Sequence, residues 1–257
     1  MLNIPAYLAR IHYDGPVEST LPVLRDLHLA HLRAVPFENL DIHLNRPISL
    51  DEEALFDKIV RRRRGGFCYE LNGLFAALLR EIGYTVTLLA AQFPLPPERV
   101  TTEFDHLVLR VDAPGMPPVL ADIAAGRRSF ALPLRIWGEA PQTQPEAGAT
   151  FRLLPEGDGV RLWRRETGGE WERVYRFTWQ PRSTADFLPG CHFHQTSPES
   201  DFTRKQVCTL MTDRGRITLS DDRLITTVDG ARTEETLPDA AAIRAALRDH
   251  FSIDLDA

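Results

Sequence analysis

Leu71, Leu74, Phe75, Leu78, Leu79 and Ile82 recur at i, i+3, i+4, i+7, i+8 and i+11, with Gly83 placed as a stop. That is one face of an amphipathic helix whose first turn begins at or just after Cys68, and other apolar surface must cover it. Upstream, Leu21, Leu24, His28, Leu32 and Val35 predict a helix ended by Pro36, and a second is predicted at about Leu50 to Arg63. From Thr85 the texture changes to short runs rich in Val, Leu and Thr: Val86 to Phe93, His106 to Val111 and Val119 to Ile123, separated by proline-rich turns. Tyr175, Phe177 and Trp179 then alternate with Arg176 and Thr178 after a Gly168-Gly169 turn, so one face of that strand is buried. Beyond a turn-rich stretch around Leu188 to Ser200, strands are predicted at Gln206 to Met211, Arg216 to Leu219 and Leu224 to Val228, with Asp229-Gly230 as a hairpin signal. An amphipathic helix at about Asp239 to Phe251 follows. There is no internal repeat, and the order of helices, then β, then mixed β and α reads as an α+β fold.

A chain of 257 residues, 43% hydrophobic, buries a sizeable core and divides into two or three subdomains. Its formal charge of -6 disfavours a general nucleic-acid binder, and only Arg61 to Arg64 form a concentrated basic run. The opening residues lack a secretory leader, and no run approaches the ~20 apolar residues of a membrane span, so no membrane partner and a cytoplasmic location are expected. Three cysteines, Cys68, Cys191 and Cys208, are too few and too scattered for a disulfide scaffold. Cys191, His192 and His194 are close in sequence, but without a second thiolate pair they predict no metal site.

The chemistry concentrates in RRRRGGFCYELNG, Arg61 to Gly73, where a lone cysteine stands behind two glycines at the start of the helix. Helix N-terminal amides and nearby arginines stabilise a thiolate, the reactive form. Gly65 and Gly66 are expected to allow a tight turn and to leave a substrate room to approach the sulfur, with the Cys68 amide helping to hold an oxyanion. A nucleophilic cysteine needs a base, and the base needs a third group to fix its tautomer. His106 opens one apolar strand and Asp122 ends another, and strand ends can converge on one cleft, which spacing alone does not prove. Asp105, next to His106, is the less suitable third group, because neighbours on a strand point to opposite faces.

LHLAHLRAVPFENLDIH at Leu27 to His43, RRRRGGFCYELNGLF at Arg61 to Phe75, a histidine opening a strand, the aspartate of VLADI, and QTSPESDF at Gln195 to Phe202 occur in this order. The chain thereby resembles the arylamine N-acetyltransferase family, bacterial type, across nearly its whole length. The resemblance implies a cysteine-protease-like core: a helical bundle over 1–84 carrying the cysteine, a β-barrel over 85–187 carrying His106 and Asp122, and an α/β lid over 188–257. It implies Cys68, His106 and Asp122 as a catalytic triad working by ping-pong transfer. The donor would be acetyl-CoA, a co-substrate rather than a resident cofactor, and the acceptors small aromatic amines or hydrazines, as in xenobiotic metabolism. Phe37 and Phe202 are implied as pocket residues, with Phe67, Phe93 and Phe104 as neighbours, and Gly126 as the glycine toward CoA.

Two positions depart from that family's pattern. Its aspartate is usually followed by a segment such as VGFG, here Ile123-Ala124-Ala125-Gly126, so Ala124 restricts the loop and Ala125 replaces a frequent acceptor-touching aromatic. The residue before the histidine is often Thr or Ser, here Asp105, whose charge would raise the basicity of His106 if the two were close. Ala124 and Ala125 leave room for an amide synthase of the same fold, closing a carrier-bound polyketide onto its own amine. Other readings of the order Cys, His, Asp are a thiol hydrolase and a binding protein without catalysis. Arg61 to Arg63 are expected as a solvated helix end and Arg64 as a partner for Glu38. Glu70 and Asn72 either support the site or are solvated, His28 and His31 carry no chemistry, and Cys208 is core.

Overall fold

The computed structural model describes residues 2–95, 99–138 and 140–255, with side chains omitted at Arg99 and Val100. The helices are α1 (Ile4–Arg10), α2 (Leu21–Ala34), α3 (Leu40–His43), α4 (Glu52–Phe56), α5 (Cys68–Ile82), α6 (Leu188–Thr196), α7 (Asp201–Arg204) and α8 (Ala240–Phe251). The strands are β1 (Phe37–Glu38), β2 (Thr85–Gln92), β3 (Pro94–Leu95), β4 (Arg99–Val100), β5 (His106–Ala113), β6 (Met116–Ala121), β7 (Leu134–Arg135) and β8 (Gln142–Gln144). They continue with β9 (Ala149–Glu156), β10 (Gly159–Glu166), β11 (Glu172–Thr178), β12 (Val207–Thr212), β13 (Gly215–Ser220), β14 (Arg223–Val228) and β15 (Ala231–Thr236).

The predicted central helix forms as α5. Glu70 reaches back to the Phe67 amide (3.0 Å), closing the first turn. Gly83, at φ 109°, closes the last, and its N–H donates to the Leu79 and Arg80 carbonyls. Leu71, Leu74, Phe75, Leu78 and Leu79 are fully buried, each worth about 1.5–3 kcal/mol of burial.

The upstream helix differs from the reading at Leu50 to Arg63: α4 is short and continues as a π-helical turn over Asp57–Arg61. That wider turn points Lys58, Ile59 and Val60 inward while Arg61 and Arg62 stay in solvent, paired with Glu53 and Asp57. The stretch Leu188 to Ser200, read as turns, is instead largely α6. Its Pro189 sits where a helix needs no amide donor, and Gly190 is a packing position rather than a breaker. A Cβ at Gly190 would lie 2.6 Å from the Phe104 carbonyl and 2.8 Å from the Tyr69 hydroxyl, so only glycine lets α6 settle there.

One sheet has eight strands in the order β7-β6-β5-β2-β11-β10-β9-β8, and another five in the order β1-β12-β13-β14-β15. The eight-stranded sheet curls so that its two ends meet through side chains. Gln142 accepts from the Arg135 amide (2.8 Å) and donates to its carbonyl (3.1 Å). Gln144 accepts from the Ala131 and Leu132 amides and donates to the Leu132 carbonyl. Leu89, Val108, Leu120, Phe151, Leu162 and Phe177 are among the residues filling the interior. The opposite face of β2, β5 and β6 joins the helices in a second core through Leu88, Leu109 and Val119, and α8 covers the five-stranded sheet through Leu247 and Phe251.

Candidate active site

The register of one hairpin brings His106 and Asp122 together. β5 and β6 pair antiparallel with Leu109 opposite Ala121, across a turn in which Gly115 takes φ 72°. His106 at the start of β5 and Asp122 just past the end of β6 therefore hang from the same end of the ladder. His106 Nε2 meets Asp122 Oδ2 at 2.9 Å, with both residues essentially sealed from solvent. The N-terminus of α5 packs against this end, so the Cys68 thiol interacts with His106 and lies 3.9 Å from the Asp105 carbonyl.

Burial by itself would strip the proton from His106. The charge and hydrogen bond of Asp122, with the nearby Cys68 sulfur, overcome it and push the imidazole up to about 10. Asp122 stays below its usual range because His106, the Asn72 amide and the Ala124 backbone N–H outweigh its desolvation. At neutral pH the pair is imidazolium and carboxylate.

Two residues that sequence reasoning left open or dismissed hold Asp122. Asn72 donates to Asp122 Oδ1 (2.9 Å) and to the Leu107 carbonyl (2.6 Å), while its oxygen accepts from the Ile123 amide (3.1 Å), so it is not solvated. His28, read as carrying no chemistry, touches Asp122 directly. The Asp122 N–H donates to His28 Nε2 (3.2 Å), which leaves Nδ1 to carry the proton and donate to the Ala131 carbonyl (2.9 Å). Its ring stacks on Phe130 at 5.5 Å, and burial pulls its basicity down to about 4, so it stays neutral.

Beneath the loop before Cys68 lies a buried charge cluster. Arg64 contacts Glu38 (2.8 Å) and Asp41 (3.0 Å), and Lys58 contacts Asp41 and Glu70 (2.7 Å each). The Arg64–Glu38 pair expected from sequence is present. Three carboxylates share two cations, and the excess falls on Glu70: its burial, with Glu38 nearby, pushes it up to about 7 against the pull of Lys58 and the Phe67 amide. The two glycines are required by this packing. A Cβ at Gly65 would stand 2.0 Å from the Pro36 carbonyl, and one at Gly66 2.8 Å from Glu70.

Of the phenylalanines expected to line a pocket, Phe202 meets both Phe37 and Phe67 at 6.0 Å, with Phe67 fully buried. Phe93 packs on the His106 ring (5.2 Å), which also meets Tyr175 (5.3 Å). The Phe104 ring meets Phe187 (5.6 Å) and the Arg182 guanidinium (4.9 Å). Gly126 takes φ 58° with open space above it. The Asp105 carboxylate turns to His194. Cys208 is core, and no group of three His, Cys, Asp or Glu side chains fit to hold a metal gathers among the described residues.

A thiol at a helix N-terminus beside a buried imidazole–carboxylate pair is the arrangement of a cysteine enzyme of the acyl-transfer class. Within that class the chain belongs to the N-acetyltransferase family, whose model matches residues 20–257. It is 36% identical over 264 residues to an arylamine N-acetyltransferase of Mycobacterium tuberculosis, covering 99% of this chain and 90% of the relative. An arylamine N-acetyltransferase / N-hydroxyarylamine O-acetyltransferase of Salmonella typhimurium is 34% identical, covering 96% and 88%. The solved Mycobacterium marinum arylamine N-acetyltransferase in complex with CoA superimposes with a TM-score of 0.91 at 38% identity, over 98% of this chain and 93% of that one.

Proposed function

We propose that the chain moves an acetyl group from acetyl-CoA to the nitrogen of arylamines or arylhydrazines through a Cys68 thioester. The observation that carries this reading is the sealed His106–Asp122 pair set against Cys68 at the start of α5. The Cys68 sulfur attacks the thioester carbonyl, and the carbon–sulfur bond to CoA breaks as His106 gives its proton to the departing thiolate. His106, now neutral, takes a proton from the amine as that nitrogen attacks the acetyl-cysteine, and the Cys68 thiolate leaves. The ring nitrogen that serves both transfers is Nδ1, since Nε2 is held by Asp122. Exclusion of water protects the acetyl-cysteine from hydrolysis, in keeping with the 3% exposure of Cys68.

Phe37, Phe67 and Phe202 supply the flat apolar wall for an aromatic acceptor, Phe93 backs the base, and Gly126 leaves space toward the nucleotide end of CoA. The alanines at 124 and 125 bear on the choice of acceptor rather than on the chemistry. We place the protein in the cytoplasm, where its donor is made; among the described residues no helix is long and apolar enough to cross a membrane.

Rapidly quenched protein is to be weighed intact after mixing with acetyl-CoA alone, then after a chase with an arylamine. One acetyl group mapped to Cys68 and lost on the chase is expected, with no adduct in Cys68→Ala. A folded wild-type protein that stays unmodified would point to another acyl donor.

A further inference from the structure

A second carboxylate–imidazole pair stands beside the first. His194 Nε2 meets Asp105 Oδ1 at 3.1 Å, and the two side chains are only 9% and 11% exposed. The other imidazole nitrogen, Nδ1, lies 3.0 Å from Ser200 Oγ, and Ser200 Oγ accepts from the Phe202 amide (3.2 Å) as the N-cap of α7. The His194 ring also packs edge-to-face on Phe202, with centroids 5.1 Å apart. One imidazole thus joins the residue whose carbonyl lies 3.9 Å from the Cys68 sulfur to the residue that closes the aromatic wall.

This connection is not what docks α6 and α7. Asn39 holds the Phe202 and Lys205 carbonyls (3.0 and 2.7 Å), Gln195 accepts from the Ile48 amide (2.9 Å), and Gly190 lies in the notch between Tyr69 and Phe104. With those fastenings in place, what His194 adds is the placement of the Phe202 ring relative to the sulfur. A polar contact this close in so dry a setting restrains both partners.

Resting on the acyl-transfer reading above, we infer that Asp105 and His194 are positioning residues that set the Phe202 wall at the height over Cys68 that admits a flat aromatic amine. They act on the second half-reaction, where the acceptor enters, and not on the loading of Cys68. A small acceptor that needs no aromatic wall, such as hydrazine itself, is indifferent to them.

The test is a ping-pong rate series on wild type, His194→Phe, Asp105→Ala, Asp105→Asn and the Asp105→Ala/His194→Phe double variant. In His194→Phe, kcat/KM for an arylamine is expected to fall roughly tenfold, as the hydrogen bond to Ser200 and the contact with Asp105 are lost together, while those for acetyl-CoA and hydrazine move less than about twofold. Asp105→Ala lowers the arylamine-to-hydrazine ratio by the same factor, and the double variant lowers it no further, as for two residues acting through one contact. Asp105→Asn, which keeps a polar oxygen facing His194, restores most of the ratio. Should His194→Phe fail to fold, the Asp105→Ala and Asp105→Asn ratios decide. An unchanged ratio, losses that multiply in the double variant, or equal falls for both acceptors would overturn the inference. Wild-type protein that takes no acetyl group on Cys68 would instead overturn the acyl-transfer reading beneath it.

Discussion

Asn72 and His28 carry the tension between what the residues say and where they sit. Asn72→Ala strands an Asp122 oxygen, the Leu107 carbonyl and the Ile123 amide at once. It is expected to cost about 1–3 kcal/mol in urea unfolding and to slow acylation and deacylation by the same factor, since Asp122 serves both. His28 titrates at about 4 in the fold against about 6.5 in an unfolded chain, so its contribution is complete above pH 6.5 and is lost as pH falls toward 4. That loss is on the order of 3 kcal/mol. The stability gap between wild type and His28→Phe should therefore shrink as unfolding is followed from pH 7 to pH 4. A constant gap would mean that His28 titrates alike in the folded and the unfolded chain. Cys68, His106 and Asp122 were legible because a lone cysteine behind glycines, a histidine opening a strand and an aspartate ending one are rare company. His28 was not, because a histidine at helical spacing looks the same whether it packs or bonds. Asp122 rather than Asp105 meets His106, as expected, although strand alternation is not the reason: Asp105 belongs to the bend before β5.

At the scale of elements, legibility followed periodicity. α5 repeats its apolar face over three turns and ends in a left-handed glycine, so pattern and structure agree. α6 is a nine-residue helix holding proline and glycine, and the punctuation outweighed its weak pattern. β9 and β10 escaped notice because arginines fill positions that usually mark a buried face; Arg161 and Arg164 are buried with Glu156, Glu166 and Glu172 as partners. The junction of the π turn with α5 depends on the charge cluster under it. Arg64→Met leaves Glu38 buried without its cation, and is expected to cost about 3–5 kcal/mol, read as a large drop in Tm. If Arg64→Met melts like wild type, Glu38 is not relying on Arg64 for its charge balance. Gly190→Ala tests the notch: forcing a methyl onto the Phe104 carbonyl and Tyr69 hydroxyl should destabilise by about 1–3 kcal/mol and displace α6.

Over the whole molecule, the α+β order of helices, then β, then mixed β and α was readable, while the barrel was implied only by the resemblance and its closure left no pattern. Backbone ladders follow from alternating apolar runs, but a seam made of glutamine side chains has no periodic signature. That seam also lies on the path to the chemistry, because the Ala131 carbonyl whose amide Gln144 holds is the one His28 grips behind Asp122. Its amides depend on rotatable side chains rather than on a neighbouring strand. In deuterated buffer, the amides of Ala131, Leu132 and Arg135 should therefore exchange as a group and ahead of those in β2 and β5, through partial openings that leave the rest of the barrel intact. Gln144→Ala should speed that group without unfolding the protein. The seam would then act as an expansion joint: the cylinder can flex at one line while the strands that carry His106 and Asp122 keep their register.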